Sequence, residues 1–477
     1  MHVLRLVAVS LAVAVIGAST AAAAAQAGVS PPATVSVADL DVEHFAIAIN
    51  PCGERSAVAF EGLVRNSRGR RTQLFARLGG GRSSFGPRQE LDDVRSGPGI
   101  RAQGAISNVR VAVAPDGGAV AAWIVTTVAR RNGPVRYSVR YASAPAKGRF
   151  GRAQTALRPP RDSNPGLAGL VAGRNGLAVV LLERGNRVEA LVRRRAGRRF
   201  ARPQRIGGDT AFEAPPSLAL APSGVVVAGW TQRDATARAA LLRRGGRRFG
   251  AARSVSPAGE PSGLGRAVSG PGGAGVAWKV SASPDKLTRF ARLRSATGAF
   301  APAVTVADDN LSGGPQLALP RLGIATAWRQ YEVAGEPGDN DVFRNPRLFA
   351  TASWLTGAGR QALSQPPALT LRPALAALPD RALVAWEEVP AHQDASRVRL
   401  AVAGPGGWEP TATIAAAGPV TPRTRPATSV LGDERPSGSD LAIAAGRSGA
   451  LLAFSTSKQT GGADGLVSTL HVARYRP

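Results

Sequence analysis

One phrase recurs along this chain: an apolar run, a Pro/Gly/Asp turn, then a second apolar run that closes on an aromatic residue. Residues 217–230 read SLALAPSGVVVAGW and residues 109–123 read VRVAVAPDGGAVAAW. The phrase returns as RAVSGPGGAGVAW (266–278), QLALPRLGIATAW (316–328) and ALAALPDRALVAW (374–386). Looser copies are FAIAINPCGERSAVAF (45–60), GLVAGRNGLAVVLL (169–182) and DLAIAAGRSGALLAF (440–454). The closing positions are Phe60, Trp123, Leu182, Trp230, Trp278, Trp328, Trp386 and Phe454, spaced by 63, 59, 48, 48, 50, 58 and 68 residues. A repeat of this length means that each unit is one supersecondary element that buries its faces only against its neighbours.

A second landmark follows most copies. A third, Arg-rich apolar strand leads to a Gly turn, an aromatic and a fourth strand, as in RRFGAARSVS (247–256), GAFAPAVTVA (298–307) and GGWEPTATIA (406–415). Phe85, Phe150, Phe200, Phe249, Phe300 and Trp408 carry it, and the sixth unit, GRQALSQ (359–365), lacks the aromatic. Short strands bounded by Gly/Pro turns predict an all-β fold. Four strands per unit of about 50 residues predict a β-propeller blade. No amphipathic helical pattern separates the strands, which disfavours βαβ units. Eight units are counted, and seven remain if the loose third copy is discounted. The eighth (440–477) has three strands and then the chain ends. PPATVSVADLD (31–41) resembles APAVTVADDN (301–310), a fourth strand, so the expectation is that the N-terminal strand completes the last blade. Such a clasp removes an exposed sheet edge. The predicted organisation is one propeller domain over 32–477.

Residues 1–27 read as a secretory signal: Arg5, an apolar core from Leu6 to Ala18, then small residues with several A-x-A sites up to Ala27. An uncleaved anchor is the alternative. The expected location is secreted, extracellular or associated with the cell wall, with no later run long enough to span a membrane. A single cysteine, Cys52, excludes a disulfide scaffold and a cysteine-built zinc site. At 44% hydrophobic residues the chain can bury a sizeable core. Lys plus Arg outnumber Asp plus Glu by 60 to 32, a net charge of +28, which becomes +27 once the segment carrying Arg5 is removed. Only Lys147, Lys279, Lys286 and Lys458 are lysines. Arg suits bidentate contacts to phosphate or carboxylate. A chain so rich in Ala, Gly, Arg and Pro also matches a GC-rich genome, so the excess is not by itself a function.

Strand, Pro-Asp-Gly turn, strand ending in Trp, then a Gly turn and an aromatic: this order resembles the sialidase-type, BNR-repeat propellers over nearly the whole chain. That family's Asp-box is S-x-D-x-G-x-x-W. No complete copy occurs here; Gly197-x-x-Phe200 and Gly246-x-x-Phe249 keep the Gly and the aromatic without the Ser and Asp. The resemblance would imply a Tyr nucleophile with a Glu partner, an acid/base Asp and three Arg. The chain has four tyrosines, Tyr137, Tyr141, Tyr331 and Tyr475, of which Tyr331 has Glu332 beside it. Adjacent strand residues point to opposite faces, which argues against that pair.

Connections between strands two and three, together with the links between successive units, are tight in units three to five and long in units six, seven, eight, one and two, as in 329–347, 387–396, 418–439 and 92–104. Long loops commonly carry function, so the ligand face is expected on that side. Its candidates are Tyr331, Glu332, Glu387, Glu388, His392 and Asp394. Glu336, Asp339 and Asp341, with Asn340 between them, form a dense acidic cluster of the kind that Ca²⁺ takes; a solvated polar loop is the plainer reading, and no other cofactor is expected. His44, His392 and His471 lie too far apart in sequence to imply a triad. Gly270, Gly272 and Gly275 fit G-x-G-x-x-G, but a strand follows, so they are read as a turn. Arg193, Arg194, Arg195, Arg243, Arg244, Arg247 and Arg248 fall on third strands and their turns, which would make the opposite face basic and attractive to a polyanion. The sequence therefore reads as a secreted, monomeric, non-catalytic binding or scaffold propeller that recognises a glycan or an anionic cell-envelope polymer. A degenerate sialidase-like hydrolase and an Arg-mediated polyanion binder are the alternatives.

Overall fold

The structure is a computed structural model that describes residues 28–36, 40–66, 69–80, 85–96, 103–128, 133–160, 163–211, 215–280, 287–294, 298–308, 312–334, 342–355, 360–364, 369–370, 373–389, 395–409, 412–419, 441–459 and 466–477. Among these residues eight antiparallel sheets form a β-propeller, and each sequence unit is one blade. Blade 1 comprises Asp41–Ile49, Arg55–Asn66, Gly69–Gly80 and Gln89–Ser96; blade 2 comprises Gln103–Val113, Ala119–Val128, Val135–Ala144 and Gln154–Leu157. Blades 3, 4 and 5 have second and third strands at Ala178–Arg184 and Arg187–Arg193, Val226–Thr231 and Ala237–Leu242, and Gly273–Val280 and Leu287–Arg292. In blades 6, 7 and 8 these are Ala325–Ala334 and Val342–Ala352, Ala382–Val389 and Ala395–Gly404, and Gly449–Gln459 and Leu466–Tyr475. Blade 7 breaks both outer positions of its sheet into two short pieces. Gly270 ends one strand and Gly275 lies in the next (Ser262–Gly270, Gly273–Val280), which is the turn the sequence required.

The second strands explain why the repeat is so apolar. In blade 3, Ala178, Val179, Val180, Leu181 and Leu182 are all fully buried, because the sheet is covered on both faces. Alternation sends one set toward each neighbour. Leu182 and Val180 pack toward blade 2, whereas Val179 and Leu181 pack toward blade 4. The closing aromatic is the largest of these side chains. Trp123 packs against Ala57, Ala59, Leu74 and Val94 of blade 1. A buried Trp removes ~200 Å² from water, about 5 kcal/mol of gross transfer free energy. Small residues let the blades approach: a Cβ on Gly229 of blade 4 would stand 2.7 Å from the Ala267 nitrogen of blade 5.

Polar staples cross two of the same seams. Asp92, at the end of blade 1, accepts hydrogen bonds from Trp123 Nε1 (2.7 Å) and Arg140 (2.8 and 2.9 Å) of blade 2. Arg140 is the cross-strand partner of Trp123. The arrangement returns between blades 4 and 5, where Glu260 accepts from Trp278 Nε1 (2.9 Å) and pairs with Arg289 (3.0 Å). The indole N–H groups of Trp230, Trp328 and Trp386 find no partner among the described residues. A further staple joins the second landmark to the preceding blade: the Phe150 N–H donates to Gln89 Oε1, and Gln204 exchanges two bonds with the Phe249 backbone.

The ring closes as expected. Ala33–Thr34 pairs with the last strand, Ala33 opposite Val472 and Thr34 opposite His471. Backbone and serine bonds extend the clasp on both sides: Ser30 N–H to Arg474 O, Val35 N–H to Leu470 O, and Leu470 N–H to Ser36 Oγ. Without this segment the last strand would present an open edge. His471 sits under the clasp, stacked on Phe454 and hydrogen-bonded to Thr456 Oγ1 at 2.8 Å. Burial pushes its imidazole below the ordinary 6.5.

Two outcomes follow from these contacts. Asp92→Ala strands a buried indole N–H and should lower stability by about 2 kcal/mol. Denaturant midpoints should show the loss shrinking in a Trp123→Phe background; an equal loss in both backgrounds would refute the bridge. For His471 the folded state holds the neutral form, so the unfolded state takes up the proton first as pH falls below 6.5. Stability is lost between 6.5 and the lower folded value. His471→Asn should therefore show a shallower fall in Tm from pH 6.5 to 5 than the wild type, and an identical slope would remove His471 as its source.

Candidate functional site

The four-stranded blade divides its connections between two faces. Turns joining strands one to two and three to four share one face, and hairpins joining strands two to three project from the other. Contacts between neighbouring turns make the first face continuous. Arg55 donates to Gly148 O at 2.7 Å, Arg194 to Gly245 O at 2.9 Å, and the Asn175 N–H to Asp116 Oδ2 at 2.8 Å.

The hairpin face is uneven, and the aromatic landmark measures it. Second strands run on from Phe60 to Asn66, from Trp123 to Val128, from Trp328 to Ala334 and from Phe454 to Gln459. In blades 3, 4 and 5 they stop at Arg184, Thr231 and Val280, one or two residues past the landmark. Each further residue adds ~3.3 Å. The long connections expected from sequence are therefore in part extended ladders: in blade 1 the pairing runs unbroken from Arg55–Gly80 to Asn66–Gly69.

The turn face of blades 3 and 4 is the most basic surface described. Its connections, 173–177, 194–203, 221–225 and 243–252, contain Arg174, Arg194, Arg195, Arg198, Arg199, Arg202, Arg243, Arg244, Arg247 and Arg248, all exposed, and no Asp or Glu. Elsewhere some arginines pair with carboxylates, as Arg71 does with Asp93 (2.7 and 2.8 Å) and Arg381 with Asp380 (3.1 Å). Arg193 departs from the sequence reading. It is 2% exposed, with its guanidinium 5.6 Å from both the Tyr141 and Phe200 rings. Those rings meet edge to face at 4.8 Å, and burial holds the Arg193 guanidinium below its ordinary value. Arg193 ends a strand whose side chains face the neighbouring blade, so it is a packing cation rather than a surface one.

A second site lies on the inner strand of blade 1. Pairing passes from Val42–Gly62 to His44–Glu61, so Glu43 is an inserted residue. A bulge breaks the alternation of side chains and re-aims them. Here it brings Glu43 and His44 to the same place as Glu61, and one ligand atom from each lies within 4.8 Å of the others. His44 Nδ1 hydrogen-bonds Glu61 Oε2 at 3.0 Å, and Glu61 is 2% exposed. That hydrogen bond, with the Glu61 and Glu43 charges, raises the His44 imidazole above 6.5 against burial and the Arg110 guanidinium. Burial pushes Arg110 down to about 10. Register shifts also interrupt the first strands of blades 2, 3, 5 and 6, between Ser107 and Arg110, Leu167 and Gly169, Gly263 and Arg266, and Ser312 and Gln316. Leu264, in the fifth-blade bulge, has φ 52, a costly conformation for a bulky residue. It borders a cleft of about 210 Å³ between blades 5 and 6, with Arg266, Lys279, Thr288 and Gln316 in its wall.

The other sequence candidates are scattered. Tyr331 and Glu332 lie on the second strand of blade 6, where the register shifts between Gln330 and Glu332; their side chains lie outside the described residues. Glu336, Asp339, Asp341, His392 and Asp394 lie outside them as well, as does 1–27. Glu387 and Glu388 are half-buried, with Glu388 Oε2 4.0 Å from Arg399 Nε. Sequence spacing missed the His44–Glu61 pair because 17 residues separate the two. The usable signal was that both fall at the same height on paired strands.

A scan against protein-family models gives no match, and a search of curated proteins gives none either. Among solved structures, the Dos1 propeller is 10% identical, with 93% of this chain and 95% of that one covered at a TM-score of 0.48. A polysaccharide lyase, an ulvan lyase of family PL25, is 9% identical, with 92% and 95% covered at 0.43. A leech intramolecular trans-sialidase is 8% identical, with 74% and 65% covered at 0.37.

The two kinds of arginine should separate by experiment. Arg193→Ala removes a cation held between two rings and should cost about 1–2 kcal/mol of stability, read from denaturant midpoints. Arg194→Ala, one residue on and exposed, should change stability by less than about 0.5 kcal/mol. Equal costs at both positions would contradict this division.

Proposed function

We propose that the protein is an exported, non-catalytic binding propeller that holds an anionic polymer of the cell-envelope kind on the turn face of blades 3 and 4. One observation carries this reading: ten exposed arginines crowd four adjoining connections that contain no acid. Arginine meets phosphate, sulfate and carboxylate with paired N–H donors. Two contiguous blades offer a run of such forks rather than a single pocket, which suits a chain carrying repeated charges. The apolar, small-residue segment that opens the sequence supports export. The repeat phrase supports a scaffold of sialidase type, although it lacks a complete Asp-box.

Binding driven by such contacts releases counterions, so affinity falls linearly in log–log form with salt. Titration of the full chain with polyphosphate, heparin and duplex DNA at several salt concentrations should give steep slopes. Replacing Arg194, Arg195, Arg243 and Arg244 by Gln should weaken binding and reduce the slope by about 1 for each phosphate contact removed. Salt-independent binding, or an unchanged slope in the four-site variant, would overturn the assignment.

A further inference from the structure

We propose that Glu43, His44 and Glu61 form a binding site for one divalent metal ion of the zinc class. This site is separate from the arginine face: Glu61 lies just past Phe60, on the hairpin side of blade 1, whereas the arginines occupy the turns at the other end of the strands.

The donor set and its spacing both fit. Zinc–nitrogen and zinc–oxygen bonds are ~2.0–2.2 Å, so two ligands of one ion stand about 3–4 Å apart. His44 Nδ1 and Glu61 Oε2 are already 3.0 Å apart. The Glu43 carboxylate completes a set whose atoms all lie within 4.8 Å. Glu43 is half-exposed and sits on a bulge, so a change of rotamer can close the remaining gap of about 1–2 Å. Glu61 cannot retreat, because it is buried between blades. A carboxylate there requires a positive partner. In the metal-free protein His44 supplies the proton on Nδ1. A metal ion takes that place and the proton leaves to solvent.

The imidazole decides the class of ion. Calcium and magnesium take oxygen donors, whereas one imidazole with two carboxylates suits zinc, manganese, iron(II) or cobalt. Three protein ligands leave a coordination position for water or for an oxygen of a ligand.

The test uses the full, untagged chain, stripped with a chelator and dialysed. Equilibrium dialysis with elemental analysis should find one saturable Zn²⁺ per chain, and a rise in Tm with Zn²⁺ but not with Ca²⁺. Co²⁺ in place of Zn²⁺ should give visible ligand-field absorption. Glu43→Gln, which leaves the His44–Glu61 hydrogen bond in place, should weaken Zn²⁺ binding by about tenfold or more. His44→Ala should abolish the stoichiometric site. Absence of saturable Zn²⁺ binding by the wild type would overturn the proposal. So would unchanged affinity in both variants, since another group would then hold the ion.

Discussion

Every blade in this ring is covered on both faces, and the rest of the structure follows from that. A sheet whose second strand is wholly buried has no stable existence alone, because each face needs a neighbour. Eight such sheets satisfy one another only if the first meets the last. The N-terminal strand achieves this by supplying the outer strand of the final blade, which leaves no long unpaired edge there. The buried aromatics set the spacing between blades. The carboxylates that cap Trp123 and Trp278 give two of those seams a direction that apolar packing lacks.

The same geometry gives the two faces of the ring different chemistry. Turns are short and closely packed on one another, and in blades 3 and 4 every charged side chain they carry is an exposed arginine. Hairpin strands are longer in blades 1, 2, 6 and 8 than in blades 3, 4 and 5. The first strands of blades 1, 2, 3, 5 and 6 break their register. The bulge at Glu43 turns an ordinary alternating strand into one that gathers three titratable groups.

Much of this was legible in the residues. Trp123, Trp230, Trp278, Trp328 and Trp386 marked the blades because a large aromatic at a fixed point of an apolar phrase has to fill the same wedge each time. The likeness of 31–41 to a fourth strand revealed the clasp. The arginine-bearing turns were also visible, since Gly-x-x-Phe follows the third strands of blades 3 and 4. Arg193 was misjudged because one residue separates the buried end of a strand from the exposed start of a turn, and composition does not mark that step. The lengthened hairpins read as loops because their polar, charged sequences lack the apolar alternation of half-buried strands.

The sequence by itself determined the order of the blades, the strand that closes them and the face that carries the arginine turns, and the structure decided eight blades over seven. These properties rest on local patterns repeated eight times, and a repeated pattern averages out the errors of any single copy. Tertiary structure alone decided which carboxylate meets which indole, and that His44 meets Glu61 beside Glu43. Those contacts depend on the pairing register and on single inserted residues. A one-residue shift in a strand reverses the face to which every later side chain points, and nothing in the spacing of residues records where that shift occurs.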